Sequence, residues 1–131
     1  MPVRRTESAL KRAKTRKTGK AKLEAELDKL WSLAVKKRDG YKCVRCGKPA
    51  VHAHHIFSRR HKRTRWEVKN GIALCYRDHW YWVRSAAPAD KQEYLDLIDR
   101  ISFPGWLARE SGKVWKPTID DLLELKERLK A

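Results

Sequence analysis

The spacing of the cysteines constrains this chain more than any other feature. Two of the three stand as Cys43-Val44-Arg45-Cys46, and the third, Cys75, lies four residues before His79. An odd count makes a poor disulfide framework, and the pattern reads instead as metal spacing in a reducing compartment. Thiolates hold Zn²⁺ tetrahedrally, so Cys43, Cys46 and Cys75 supply three of four positions. The fourth is open. Asp78 completes Cys-x-x-Asp, with the same gap as the first pair, and His79 completes Cys-x-x-x-His. Three ordinary buried cysteines are the competing reading. A structural zinc would add folding free energy directly to a small domain with a thin core.

At 131 residues the chain suits one domain. No stretch reaches the ~18 apolar residues of a membrane span, and the N-terminus lacks the apolar core of a secretory signal. A soluble cytoplasmic protein is the expectation, with no membrane partner. Lys plus Arg is 32 against 16 for Asp plus Glu, a net charge of +16. That excess favours a nucleic-acid partner over an acidic-protein specialist, and it says nothing about catalysis.

Residues 1–22 carry nine basic residues, one acid and no apolar periodicity, and read as a flexible basic arm. Residues 23–131 then form the domain. Leu23, Leu27, Leu30, Trp31 and Ala34 mark one face of a helix over 21–38, stopped by Asp39-Gly40. A Cys-rich knuckle at 41–49 leads to short strands at 50–57 and 71–75. A helix follows over about 77–85, and another over 89–102, broken at Phe103-Pro104-Gly105. Thr118 caps a last helix, with Asp121 at the capping-box position. Between the strands, residues 59–69 hold six cations against one acid, Glu67. Such a loop would grip phosphates without reading sequence. Arg59, Arg60, Arg63 and Arg65 are the candidates, and a merely solvated loop is the alternative. His52 and His61 read as structural or surface residues. Most of the six tryptophans read as core, with a base-stacking platform as the alternative.

Four of five histidines lie at 52, 54, 55 and 61. His54-His55 sits at a strand end beside the basic loop, where one imidazole can ligate a divalent ion while its neighbour takes a proton from water. The order His54-His55, Asn70, His79, with Cys43 and Cys46 ahead of it, resembles the zinc-bearing branch of the HNH endonucleases. Ala53-His54-His55-Ile56 and Asn70-Gly71-Ile72-Ala73-Leu74-Cys75 carry the likeness over about 39–83. Asp39-Gly40-Tyr41, Phe57-Ser58-Arg59-Arg60 and Thr64-Arg65-Trp66 are similar to small phage-type members.

The resemblance implies an α+β fold: a ββα-metal, treble-clef-like core with zinc knuckles, flanked by N- and C-terminal helices, the latter over 89–131. It implies a metal-dependent nuclease that nicks or cuts double-stranded DNA. His55 would be the general base and Asn70 would orient its region. His54 and His79 would hold one catalytic ion, for which Mg²⁺ or Mn²⁺ suits two imidazoles plus waters. It also implies a phage large terminase subunit or portal as partner. Two departures stand out. Asp78 replaces the usual last zinc cysteine, so that Asp78 on zinc with His79 in the active site is the preferred assignment. Val83 stands where many relatives carry another histidine. The alternative function is a zinc-stabilised DNA-binding or packaging accessory module without cleavage.

Overall fold

The computed structural model describes residues 7–130, with side chains over 19–130. The protein is α+β and mostly helical around one two-stranded antiparallel sheet. In chain order the elements are α1 (Glu7–Arg38), β1 (His52–His55), α2 (Lys62–Arg65), a 3₁₀ turn (Val68–Asn70), β2 (Gly71–Leu74), a π-helical turn (Asp78–Trp82), α3 (Pro88–Ile101), α4 (Pro104–Ser111) and α5 (Ile119–Lys130). No helix among the described residues is long and apolar enough to cross a membrane.

α1 starts well upstream of the expected 21. Of the basic arm, residues 1–6 lie outside the described residues, and the rest continue α1. The buried stripe of α1 is Leu23, Leu27, Trp31 and Val35, at strict four-residue spacing. It packs with Trp66 of the basic loop and Leu122 of α5. Each such aliphatic burial contributes about 1.5–3 kcal/mol before entropy is counted. Lys126 Nζ meets Glu26 Oε2 at 2.7 Å, and Lys20 Nζ donates to Pro117 O at 2.8 Å, fixing α5 alongside.

The stop signal after α1 also builds the sheet. Gly40 (φ 66°) and Tyr41 (φ 60°) turn the chain left-handed. Tyr41 N–H closes on Lys36 O at 2.8 Å, and Asp39 Oδ2 accepts from Ala73 N of β2 at 2.9 Å. β1 pairs with β2 in the register His52↔Leu74, Ala53↔Ala73, His54↔Ile72, His55↔Gly71. Strand alternation then sorts the faces. Ile72 and Leu74 join Cys43, Cys75, Trp82, Leu97 and Ile98 in a second core under α3, and Ala53 packs on α1.

At Gly71 the side chains of α1 press against the strand backbone. A Cβ there would lie 2.5 Å from Val35 Cγ2 and 2.6 Å from Trp31 Cζ2. Gly71→Ala is therefore expected to destabilise by about 1–3 kcal/mol, the range for overpacking a tight core. The check is the urea midpoint. An unchanged midpoint would mean that α1 lifts off the sheet without cost.

Both expected strands are shorter than drawn, and one further bond in the same register, Ile56 N–H to Asn70 O at 2.9 Å, lies just beyond the end of β1. Two short helices, α2 and α4, were not expected. α3 ends at Ile101, ahead of Phe103-Pro104-Gly105 as expected, and Pro104 then opens α4, since proline tolerates the first turn. The Thr118–Asp121 capping box forms as expected, with reciprocal bonds of 2.9 and 3.2 Å.

Candidate functional site

Cys43, Cys46, Cys75 and Asp78 converge, their ligand atoms all within 4.8 Å of one another. The knuckle supplies two: Gly47 (φ 77°) turns the chain so that its N–H returns to Cys43 O at 2.9 Å. The end of β2 supplies Cys75, and the following helical turn Asp78. Cys46 Sγ and Cys75 Sγ are 3.7 Å apart. Around an ion with Zn–S of ~2.3 Å a tetrahedral S–S edge is about 3.8 Å, so the donor set fits zinc. Cys43 Sγ donates to Asp78 Oδ2 at 3.1 Å. Burial pushes the Cys43 thiol up to about 12, so a metal must displace its proton. Burial also pushes the Asp78 carboxyl up, but the bonds from Cys43 and Arg45 outweigh it and hold Asp78 below the usual range. Arg45 Nη1 reaches Asp78 Oδ1 at 2.8 Å, bonds Glu93 of α3 and lies over the Trp82 ring. The fourth member of the cluster is thus Asp78, and His79 turns elsewhere.

His79 faces the histidines of β1. Its ring centroid is 5.6 Å from His54 and 4.7 Å from His52. His79 Nδ1 is buried without a hydrogen-bond partner. Asp78 and His79 diverge because neighbouring positions on any helical turn point in different directions, and this turn runs in π register, with Val83 N–H bonded to Asp78 O at 3.0 Å. Such turns recur at functional sites. His54, His55 and His79 line one cleft of about 750 Å³, with Asp28, Trp31, Arg59, Arg60 and Arg84 also on its walls. Adjacent strand residues face opposite sides, yet both His54 and His55 reach the cleft because His55 ends β1.

The His55 ring stacks on Trp31 at 3.7 Å with planes 9° apart. Its Nε2 lies 2.9 Å from Arg65 O. A carbonyl only accepts, so Nε2 carries the proton and Nδ1 keeps its lone pair. Burial pulls the ring down to about 4, so His55 is neutral at physiological pH. His54 is likewise drawn down to about 4, by burial and then by His79, and its Nε2 meets Tyr94 Oη of α3 at 3.1 Å. Asn70 is fully buried and stays out of the cleft lining. Its Oδ1 accepts from Phe57 N at 2.8 Å and its Nδ2 donates to Phe57 O at 3.0 Å, clamping the chain two residues after His55.

The four arginines of the basic loop divide. Arg59 and Arg60 line the cleft, and the Arg59 side chain is 65% exposed. Arg63 pairs with Glu110 at 3.0 Å, and Arg65 with Asp28 at 2.8 Å, so both hold the loop down. Asp28 also accepts from Trp66 Nε1 at 2.9 Å. Sequence reasoning missed Arg84, Tyr94 and the place of His52 beside His79. The four-residue stripe that ends at Trp31 and Val35 was the signal for Trp31, but nothing near residue 94 pointed to His54. No protein-family model, curated protein or solved structure matches this chain.

Proposed function

We infer that this chain is a metal-dependent endonuclease of the HNH kind, with a ββα-metal core, hydrolysing phosphodiester bonds of double-stranded DNA. The observation that carries the reading is the state of His55: neutral, fixed by Trp31 and Arg65 O, with Nδ1 unbonded among the described residues. A held imidazole of that kind, in a cleft of cations, is a general base for water. Its proton acceptor is Nδ1. The water oxygen attacks phosphorus as the 3′ oxygen leaves and takes a proton from solvent, giving a 5′-phosphate and a 3′-hydroxyl. Arg59 and Arg60 hold the flanking phosphates, and Asn70 fixes the turn that follows His55.

His54 and His79 would hold one divalent cation, Mg²⁺ or Mn²⁺. The orphaned Nδ1 of His79 and the neutral His54 fit that task. When bound, the cation neutralises charge growing on the phosphoryl and leaving oxygens. Zn²⁺ belongs to the Cys43, Cys46, Cys75 and Asp78 cluster. Action beside a phage large terminase subunit or portal rests on the resemblance alone, and co-elution with such a subunit is its check.

The test is conversion of supercoiled plasmid to relaxed and linear forms in Mg²⁺, Mn²⁺ or EDTA, with DNA binding measured in parallel. Cutting in either metal and none in EDTA is expected. Binding without cutting in any metal would replace this reading with the zinc-stabilised binding or packaging module. Replacing both Arg59 and Arg60 with alanine should flatten the plot of log affinity against log salt by about 2, near 0.9 per lost phosphate contact. An unchanged slope would remove them from the interface.

A further inference from the structure

We propose that Trp80, with Arg84, is a stacking platform for an unpaired DNA base beside the cleft, so that the preferred substrate has single-stranded character next to the cut. The proposal rests on the nuclease reading for its location and on the geometry below for its content. Of the other five tryptophans, Trp31, Trp66 and Trp82 are buried, Trp115 packs against the α1 core, and Trp106 is half-buried with Lys69 Nζ 4.8 Å over its ring. Trp80 is 38% exposed, although nothing in the core requires an indole at that place. Tyr76, four residues earlier and 57% exposed, lies 6.1 Å from it between ring centroids. An exposed aromatic pair on one short helical segment is the kind of patch that marks a contact surface.

Position and charge say what it contacts. Trp80 is joined to the cleft on two sides. The His79 ring stands 5.6 Å from it, and the Arg84 guanidinium lies 4.2 Å above its ring. Arg84 also lines the cleft, and it has no ion pair among the described residues. The cleft wall continues through Arg59 and Arg60, so the occupant is a polyanion and not an apolar protein face. A nucleotide fits both halves of the pair, its base on the indole and its phosphate on the guanidinium, beside the cleft that His54 and His79 line. The bases inside a duplex have both faces covered by neighbours, and only an unstacked base has a face to offer. A gap, flap or frayed end supplies one.

The experiment measures binding in EDTA to two labelled DNAs of equal length, an intact duplex and a duplex carrying a short gap with 2-aminopurine in the unpaired stretch. Wild type is expected to bind the gapped DNA more tightly and to quench the 2-aminopurine. Trp80→Ala should weaken binding to the gapped DNA by about tenfold, the scale of one stacked base, and leave the intact duplex unchanged. Trp80→Phe should keep most of the preference, which also covers the case of an alanine variant that fails to fold. Under cleavage conditions Trp80→Ala should raise KM on gapped DNA and leave kcat unchanged. Equal loss on both DNAs, or no quenching and no preference in wild type, would overturn the platform. A Trp80 preference that persists in a protein that never cuts would keep the platform and overturn the nuclease.

Discussion

His55→Ala should lower plasmid cleavage by about 10²–10⁴-fold, the usual worth of a positioned general base, while DNA affinity stays near wild type. Affinity should survive because Arg59, Arg60 and Arg84 line the cleft independently of His55. The loss should be chemical, since the imidazole is the one cleft group whose tautomer the backbone dictates: only Nε2–H can meet Arg65 O. The stack on Trp31 gives a graded control. Trp31→Phe keeps an aromatic face under His55 but deletes the Nε1–H bond to Glu67 O, now 2.7 Å long. That variant should lose about 1 kcal/mol of stability, the net worth of one hydrogen bond plus a small packing defect, and keep much of its activity. Near-UV circular dichroism on His55→Ala separates lost chemistry from lost structure. Full cleavage by a folded His55→Ala protein would end the general-base assignment.

Local chemistry made part of this molecule readable in advance. Asp39-Gly40 stops α1 because glycine takes the left-handed conformation that ends a helix without penalty, and Cys-x-x-Cys with Cys75 announces three donors and leaves the fourth between Asp78 and His79. The Thr118–Asp121 box is equally local. What escaped was either non-periodic or long-range. The upstream part of α1 has no apolar stripe, so periodicity is silent there although alanine, lysine and arginine favour helix. Arg65 reads as one more cation in a basic loop. Its guanidinium pairs with Asp28 and Glu24 while its carbonyl holds His55, and no composition argument separates those uses. Tyr94 bonds His54 across forty positions of sequence, and β1 places His52 on the side that meets His79 only because the register pairs it with Leu74. The turn that carries Asp78 and His79 runs in π register, which propensities do not encode.

Removing metal from the Cys43, Cys46, Cys75 and Asp78 cluster should cost more stability than any single substitution. The four donors tie the knuckle after α1, the end of β2 and the helical turn into the core that contains Ile72, Leu74, Trp82, Leu97 and Ile98. Purified protein should carry one zinc per chain, and a strong chelator should lower the melting temperature and free the thiols to a colorimetric reagent. Structural zinc binding is worth on the order of 10 kcal/mol in small domains, comparable to a whole domain's stability. Asp78→Ala should weaken zinc by more than Arg45→Ala, because Asp78 would meet the ion itself whereas Arg45 orients Asp78 through Oδ1, a supporting contact worth about 10–100-fold in affinity. Asp78→Cys should hold zinc more tightly and keep the fold. The cluster and the cleft share one turn, so the loss propagates. Asp78 O anchors Val83 N–H, and His79 follows Asp78 directly, so a turn released from its ion no longer presents His79 beside His54. Chelation of the cluster should therefore abolish cleavage even when Mg²⁺ is resupplied, and readdition of Zn²⁺ together with Mg²⁺ should restore it. A chelated protein that melts at the same temperature and contains no stoichiometric zinc would show that the three thiols and Asp78 hold the fold by packing and hydrogen bonds alone.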